Sequence, residues 1–565
     1  MNEMNAHLII APILIPFIAG AVMLLYDDRQ RKAKMWLSLL SAAALLVVSI
    51  QLLDRAKDAG LSDTGAMGFY LLGDWMAPWG IVLVIDRLAA VMLLLTALLA
   101  IPALIYATAG WQRQGQHFHS LFQFLLMGLN GAFLTGDLFN LFVFFEVLLA
   151  ASYGLLLHGS GQLRIRAGLH YIAINLTGSL LFLLGVSLIY GVTGTLNMAH
   201  LANLVSSIPE GDRPLFHAGV ALLSVAFLIK GGSWPLSFWL PTTYMAAAAP
   251  VGAMFAIMTK VGVYVILRLS MLLFGEGAGP SAGFGAELLI FSGMATILFG
   301  MVGVLSNQGL GRMAAFLVLI SSGTVLGITG FAQAGGGQAM LAGALYYMVG
   351  STLATGALFL LIEPMSREDG GIAAMLALTA DAYGMEEPDL DDPEEPGFAI
   401  PGSMTVLGIG FVFCVLVLSG TPPLAGFIGK VAMISALLDA TNLPPNLAWA
   451  FAGLLIVSGF ATLIGLARIG IQSFWASDGM APRVPAQEVG PVIALMAMVL
   501  LLSVKAQDSL RYMEETASAL NMPRSYAYGV FSAPRAGEAP DNTAVADVEE
   551  VGGDNGAAQA GEVSE

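Results

Sequence analysis

Long apolar runs recur along the whole chain, and they constrain its fold more than any other feature of the sequence. Each run can cross the hydrocarbon core of a bilayer, about 30 Å thick, as an α-helix. Helices are predicted because backbone groups in lipid must be hydrogen-bonded within the segment, and the alternating strands of a barrel are not seen in the sequence. We predict an all-α integral membrane protein with about fourteen transmembrane helices, at residues 8–25, 36–53, 80–107, 119–135, 138–158, 168–190, 214–247, 250–274, 286–306, 311–332, 338–362, 401–438, 447–472 and 488–504.

The composition argues against several functional classes. Only 11% of the residues are charged, whereas soluble domains have about 25%. The single cysteine, Cys414, cannot form a disulfide within the chain, and an iron–sulfur cluster needs about four thiolates. The seven histidines lack zinc-ligand spacing, and no glycine-rich nucleotide motif follows a strand. We therefore expect no cofactor, no catalytic site and no nucleic-acid partner, while a metal site stays undecided.

The net charge of −16 is concentrated in two segments. Residues 363–397 hold eleven acids and one arginine, and residues 535–565 hold eight acids and one arginine, so the rest of the chain is close to neutral. Both segments are rich in Gly, Ala and Pro, which predicts an acidic loop at 363–400 and a C-terminal tail, 505–565, that is disordered from residue 535. Two interpretations stay open for both segments: a solvated, solubilising surface segment, or a docking surface for a basic partner subunit.

The loops predict the orientation. If the first loop is cytoplasmic, eleven basic residues lie on its side of the membrane and four lie on the other side before the tail. The excess of positive charge on the inner side predicts a multi-pass protein of the cell (inner) membrane with both termini outside the cytoplasm. Residues 507–522 are predicted to form an amphipathic helix, along the membrane surface or against another subunit, with one face made by Leu510, Met513, Ala517 and Leu520.

Charged residues inside the predicted spans point to function. Apart from Arg87, the basic residues that lie within apolar runs are Lys230, Lys260 and Lys430, and the clearest buried acid is Glu146. Each charge at the bilayer centre costs about 2.5–3.5 kcal/mol. A lysine near a span end can extend to the interface, an alternative that is weaker for a central lysine or a short glutamate. A desolvated lysine can release its proton near neutral pH, and a nearby carboxylate opposes the release. We therefore predict a proton relay through these four residues.

Arg87 is a separate case. It lies near the end of a predicted span, directly after Asp86. We predict that these two neighbours pair with each other in a structural role.

Two predicted spans, 214–247 and 401–438, are longer than one crossing needs, and both contain helix breakers: Gly231, Gly232 and Pro235 in the first, Pro422 and Pro423 in the second. Proline removes a backbone donor. Paired broken spans are typical of inverted-repeat transporters with a site at the membrane midplane. The alternative is that Gly and Pro are simply frequent in membrane helices. As spans seven and twelve, they predict two five-helix repeats, helices 4–8 (119–274) and helices 9–13 (286–475), after three N-terminal helices (1–110) and before a last helix (488–504).

The block KGGSWPLSFWLPTTYMAAAAPVGAMFAIMTKVGVYVILR, residues 230–268, resembles the signature of the proton-antiporter membrane subunits. This family includes Mrp-type Na⁺/H⁺ antiporters and the large antiporter-like subunits of respiratory complex I. The resemblance covers roughly residues 80–475. Within the family, TKVGVYVILR and SGTPPLAGFIGK are most similar to D-type subunits of Mrp (also called Pha) complexes.

The resemblance implies a fourteen-helix fold with inverted repeats and broken helices 7 and 12. It implies that Glu146 and Lys230 are the paired charges of helices 5 and 7, that Lys260 is the central basic residue of helix 8, and that Lys430 leads to the exit on helix 12. It also implies that Pro235 and Pro422–Pro423 lie at the helix breaks. The implied partners are the other subunits of a Mrp-type complex, membrane lipid, protons and Na⁺ or K⁺.

Three functional hypotheses remain open at this stage. The first is a subunit of a multisubunit cation/proton antiporter. The second is a proton-pumping, antiporter-like subunit of complex I or of a membrane-bound hydrogenase. The third is a structural membrane scaffold that keeps an inactive relay.

Overall fold

The structure is a computed structural model that describes residues 3–27, 29–58, 67–366, 402–475 and 484–535. Most of the acidic loop, from residue 367, and the acidic tail, from residue 536, lie outside the described residues. The expectations for these two segments therefore stay predictions.

The described chain is predominantly helical, and the predicted membrane fold class is confirmed. Twelve of its helices are long and apolar enough to cross a membrane, and two shorter apolar helices accompany them. Each predicted span coincides with one helix or, at 214–247 and 401–438, with two. The helices are α1 Glu3–Leu25, α2 Arg31–Asp58, α3 Arg87–Ala107, α4 Phe118–Leu134, α5 Leu138–Leu156, α6 Gln162–Thr193, α7 Met198–Leu204, α8 Arg213–Gly231, α9 Leu240–Ala246, α10 Ala249–Phe274, α11 Ala286–Ser306, α12 Leu310–Phe331, α13 Gln338–Ser366, α14 Gly402–Ser419, α15 Ala425–Asp439, α16 Pro445–Trp475, α17 Ala486–Val504, α18 Ala506–Leu520 and α19 Pro523–Phe531.

The third predicted span starts later than expected. Its first residues belong to a small antiparallel hairpin of β1, Gly68–Leu71, and β2, Val82–Ile85. The apolar, β-branched run at 81–85 suits a strand. Helix α3 begins only at Arg87, because the Asp86 side chain caps it by accepting the Ala89 N–H at 2.8 Å.

Both long runs are interrupted. Helix α8 ends at Gly231, and Gly232 follows with a φ of 70°, a left-handed conformation that glycine adopts without steric cost. The chain then forms the short helix α9. In the second run, Gly420 has a φ of 77° and separates α14 from α15. Each break therefore divides one predicted span into two helices.

Helix α10, which carries Lys260, lies at the centre of the molecule. Every residue of α10 is buried, as are nearly all residues of α12 and most of α13. Helix α8 packs directly against α10, since a Cβ at Gly262 would lie only 2.6 Å from the Phe227 carbonyl oxygen and the Gly231 nitrogen. The other spans surround this centre, so Lys260 is shielded from lipid by protein.

The C-terminal helices dock on the same chain. Met513 and Ala517 of the predicted amphipathic helix are buried, and the Tyr512 hydroxyl donates to the Arg87 carbonyl at 3.3 Å. Helix α18 thus covers the start of α3 instead of leaving its apolar face for the membrane surface or another subunit.

The predicted pairing of Asp86 with Arg87 is wrong. Asp86 instead accepts two hydrogen bonds from Arg268, at 2.7 and 2.8 Å, and Arg87 pairs with Glu515 of α18. The cause is the cap: Asp86 ends an extended segment and Arg87 begins a helix, so each side chain meets a different partner. Arg268 is 5% exposed and lies in the interior, at the C-terminal part of α10.

Candidate functional site

Lys230 lies in the last turn of α8, directly before the break, and is 1% exposed. Its ammonium donates to the side-chain oxygen of Asn175 at 2.7 Å. It also lies over the rings of Phe145, at 5.1 Å, and Tyr171, at 5.4 Å. Aromatic faces and the carbonyl end of a helix both favour a positive charge. The site can therefore hold an ammonium without a direct counter-ion.

Glu146 of α5 is half-buried and accepts a hydrogen bond from Ser179 of α6. Among the described residues, no carboxylate oxygen lies within the 4.0 Å limit of an ion pair with Lys230. The structure therefore does not bring Glu146 and Lys230 into direct contact. Helix α6 links them instead, because Asn175 and Ser179 are one turn apart on the same helix face.

The broken backbone beside Lys230 is satisfied by side chains. The Trp239 indole donates to the Ile229 carbonyl at 3.1 Å, and the Trp234 N–H donates to the Thr296 hydroxyl at 2.8 Å. Gly231, Gly232 and Pro235 lie between these two bonded backbone groups or next to them. The break thus places polar backbone groups beside Lys230, among otherwise apolar helices.

Lys260 occupies the middle of α10 and is 1% exposed. Its ammonium donates to Ser321 at 2.9 Å and to Ser322 at 3.1 Å, both on α12. Ser321 is in turn hydrogen-bonded to Ser351 of α13 at 2.8 Å. A row of hydroxyls therefore leads from the central lysine to α13.

Lys430 of α15 is 6% exposed and donates to the carbonyl oxygen of Ser419 at 2.9 Å. Ser419 is the last residue of α14 before the Gly420–Pro423 break, so the lysine binds a carbonyl that the break has freed. A cavity of about 620 Å³ borders Lys430. Its rim includes Val431, which is 47% exposed, and Phe460, which is 61% exposed. Lys430 therefore lies next to a path to the surface of the chain.

Helix α13 places Lys430 near the hydroxyl row. A Cβ at Gly429 would lie 2.9 Å from the Tyr347 Cβ, and Tyr347 precedes Ser351 by one turn of α13. Direct hydrogen bonds between the described side chains do not join all four charges. The helices that carry them or their hydrogen-bond partners pack in neighbouring pairs: α5 with α6, α8 with α10, α10 with α12, and α13 with α15.

The sequence analysis missed the polar partners of these charges. They are Asn175, Ser179, Ser321, Ser322 and Ser351. The available signal was weak: isolated polar residues four positions apart, or two adjacent serines, inside apolar runs. Only the tertiary packing shows which of the many such residues face a lysine.

Glu363 marks a second polar cluster, at the end of α13. The sequence analysis assigned it to the acidic loop, but α13 continues to Ser366. Its carboxylate accepts from the Ala249 N–H at 3.0 Å, the Trp111 indole at 2.8 Å and the Tyr106 hydroxyl at 3.3 Å. It thus ties the start of α10 to α13 and to the chain after α3.

Arg164 completes this cluster. Its guanidinium lies over the Trp111 ring at 4.6 Å and donates to the Ala246 carbonyl at 3.0 Å. Arg164 and Glu363 therefore bind the two ends of the short link between α9 and α10. This link joins the broken helix to the helix that carries Lys260.

Comparison with known proteins places the chain in a family. A family model described as "NADH:quinone oxidoreductase/Mrp antiporter, TM" matches residues 135–457. The probable K⁺/H⁺ antiporter D subunit of Rhizobium meliloti is 52% identical over 95% of this chain and 100% of its own length. The Na⁺/H⁺ antiporter D subunit of Alkalihalophilus pseudofirmus is 33% identical over 92% of this chain and 98% of its own length.

Solved structures share the fold. A chain of the Mrp complex from Dietzia sp. DQ12-45-1b superposes with a TM-score of 0.77 at 23% identity, covering 94% of this chain and 100% of that one. A chain of respiratory complex I from Thermus thermophilus gives a TM-score of 0.68 at 23% identity, covering 92% of this chain and 99% of that one.

Proposed function

The chain belongs to the NADH:quinone oxidoreductase/Mrp antiporter family of membrane subunits, and from this premise we propose that it is the D-type subunit of a multisubunit antiporter that exchanges protons for Na⁺ or K⁺. One observation carries the proposal: the 52% identity to a probable K⁺/H⁺ antiporter D subunit extends over 95% of the chain. Its neighbours are the other subunits of that complex. We place it in the cell membrane with both termini outside the cytoplasm, as the loop charges favour.

We propose that protons move through Glu146, Lys230, Lys260 and Lys430 in this order. Each lysine is buried and is held by neutral acceptors: an amide, serine hydroxyls or a backbone carbonyl. Such acceptors can bind an ammonium and can also donate to or tolerate a neutral amine after its proton has left. Water molecules between the lysines would complete the path.

The breaks have a role in this proposal. A helix end supplies backbone dipoles and a hinge beside Lys230 and Lys430. Movement of the α6 face that carries Asn175 and Ser179, which bond to Lys230 and Glu146, would change the distance between these two charges. Each charge would then bias the proton affinity of the next one.

The test uses everted vesicles that contain all products of the antiporter operon, with and without this chain. A fluorescent dye reports the pH gradient, and K⁺ or Na⁺ is added in separate arms. We expect cation-dependent proton release only in vesicles with the chain. Proton pumping that follows quinone reduction and ignores both cations would instead favour the complex I or hydrogenase alternative.

An Asn175→Leu variant is expected to lose most, but not all, of the exchange. The substitution removes the hydrogen bond to the Lys230 ammonium, and bonds to charged groups contribute about 1.5–3 kcal/mol. Initial rates of dye recovery measure the loss. Thr177→Ala is the matched control, because Thr177 is exposed on the same helix and bonds only to the Ala173 carbonyl. If Asn175→Leu exchanged at the rate of Thr177→Ala and of the unmodified chain, a role for Asn175 would be contradicted.

Glu363→Ala is expected to lower the stability of the assembled complex, whereas deletion of residues 368–397 is expected to leave antiport intact. Loss of Glu363 leaves the N–H of buried Ala249 and the indole N–H of half-buried Trp111 without their acceptor, at about 1–3 kcal/mol for a fully buried group. The melting temperature and yield of the purified complex measure the effect. Ser366→Ala, at the exposed end of α13, is the control. If deletion of residues 368–397 caused the complex to dissociate, this segment would be shown to bind a partner subunit.

A further inference from the structure

A basic groove lies at the end of the molecule where α1 leads into α2. It has a volume of about 740 Å³, and its lining includes four cations: Arg29, Arg31, Lys32 and Arg113. Gln112 and Gln487 add neutral donors. None of the described residues that line the groove is an Asp or Glu, so the lining carries only positive charge.

The four cations are free to bind such an anion. All four are exposed, and no carboxylate of a described residue lies within ion-pair distance of any of them. Arg31 also begins α2, where unpaired backbone N–H groups favour negative charge. The positive charge of the groove is therefore not used within the described chain.

An apolar stripe continues from the groove along α2. Trp36 lines the groove and is 66% exposed. Leu40, Val47 and Ile50 follow on the same helix face, with exposed fractions of 68%, 55% and 46%. Tryptophan is typical of the boundary between headgroups and acyl chains. The groove thus has a basic end with an aromatic residue at its edge and an apolar extension that one lipid tail can follow.

We propose that this groove binds the phosphate headgroup of an anionic phospholipid, with an acyl chain along the α2 stripe. Basic pockets between membrane helices on the cytoplasmic side are suited to such headgroups. A free phosphate would use the cations but not the stripe, and the stripe runs along α2, which is long and apolar enough to cross a membrane. The two features together select a lipid.

The experiment uses the assembled antiporter complex in vesicles of phosphatidylcholine that contain a photoactivatable phosphatidylglycerol with a diazirine on its acyl chain. After irradiation, mass spectrometry locates and quantifies the label. We expect labelled peptides from α2. The Arg31→Gln, Lys32→Gln double variant should lower this labelling about 25-fold, since each surface cation changes anionic-lipid binding about fivefold.

Lys505→Gln, Arg511→Gln is the matched control, because these two exposed cations belong to the C-terminal helices; its α2 labelling should equal that of the unmodified complex. Excess inorganic phosphate at constant ionic strength should not compete. Competition by phosphate would show a soluble-anion site and overturn the proposal. The proposal would also be overturned if the groove variant showed the same α2 labelling as the unmodified complex. It would be overturned as well if α2 were labelled in the isolated chain but not in the complex, because a partner subunit would then cover the groove.

Discussion

Substitution of Lys230 by alanine is expected to reduce cation-driven proton exchange to the background of vesicles that lack the chain. Lys230 is the charged group at the first break, and its ammonium is held by Asn175 and two aromatic rings. Loss of a positioned proton-transfer group lowers rates by roughly 10²–10⁴-fold. The initial rate of dye recovery after addition of K⁺ or Na⁺, normalised to the amount of complex, measures the effect.

Two further variants separate chemistry from folding. Lys230→Met keeps the length of the side chain and removes the charge, so it should be inactive in a fully assembled complex. Lys57→Ala removes an exposed lysine that pairs with Asp54 and should keep normal exchange. Glu146→Gln, which retains the shape of the side chain, should fail as Lys230→Met does. Normal exchange by a Lys230 or Glu146 variant at normal protein levels would remove these residues from the relay.

The Lys430 series should distinguish a proton relay from a fixed charge. Lys430→Ala is expected to stop exchange. Among the described residues, no carboxylate lies within ion-pair distance of Lys430 that could carry the proton in its place. Lys430→Arg is expected to stop it as well, because a guanidinium keeps its proton at physiological pH. Lys430→Glu should retain part of the activity, since a carboxyl group can still take up and release a proton. Exchange is measured as a function of pH for all three variants.

Ser435→Ala is the control for this series, because Ser435 lines the same cavity whereas the Lys430 ammonium bonds to the Ser419 carbonyl. It should behave as the unmodified chain. If Lys430→Arg supports exchange as well as lysine does, position 430 needs only a permanent positive charge, and its place in the proton path is wrong.

The helix breaks illustrate what local sequence can predict. Gly231–Gly232 and Gly420–Pro423 coincide with the ends of α8 and α14, because glycine and proline act on their own backbone. Spans are predictable for the same reason, since length and hydropathy are properties of one segment. The fold class was therefore accessible before the structure.

Partners across the molecule were not predictable. Asp86 binds Arg268, which is 182 positions away, instead of its neighbour Arg87. Lys230 binds Asn175 across 55 positions. Such pairs depend on which helix faces meet, and a single sequence does not contain that information.

Glu363 shows how composition can mislead. The acids that follow it made residues 363–397 one segment, but Glu363 accepts hydrogen bonds from three donors in two distant parts of the chain, Tyr106 and Trp111 near the end of α3 and Ala249 at the start of α10. Its role depends on the packing that brings the α10 N-terminus to the end of α13. A boundary drawn by charge alone therefore placed a structural residue in the loop.

In the proposed mechanism, one proton path joins both halves of the subunit through Lys260. The direct measurement is cation-driven proton flux in liposomes that contain the purified complex with Lys260→Met, with Lys57→Ala as the control. Methionine fills the space of lysine in α10 but cannot carry a proton. We expect that proton flux and the coupled K⁺ or Na⁺ flux both fall to the level of empty liposomes. Proton–cation exchange at the rate of the unmodified complex would contradict it.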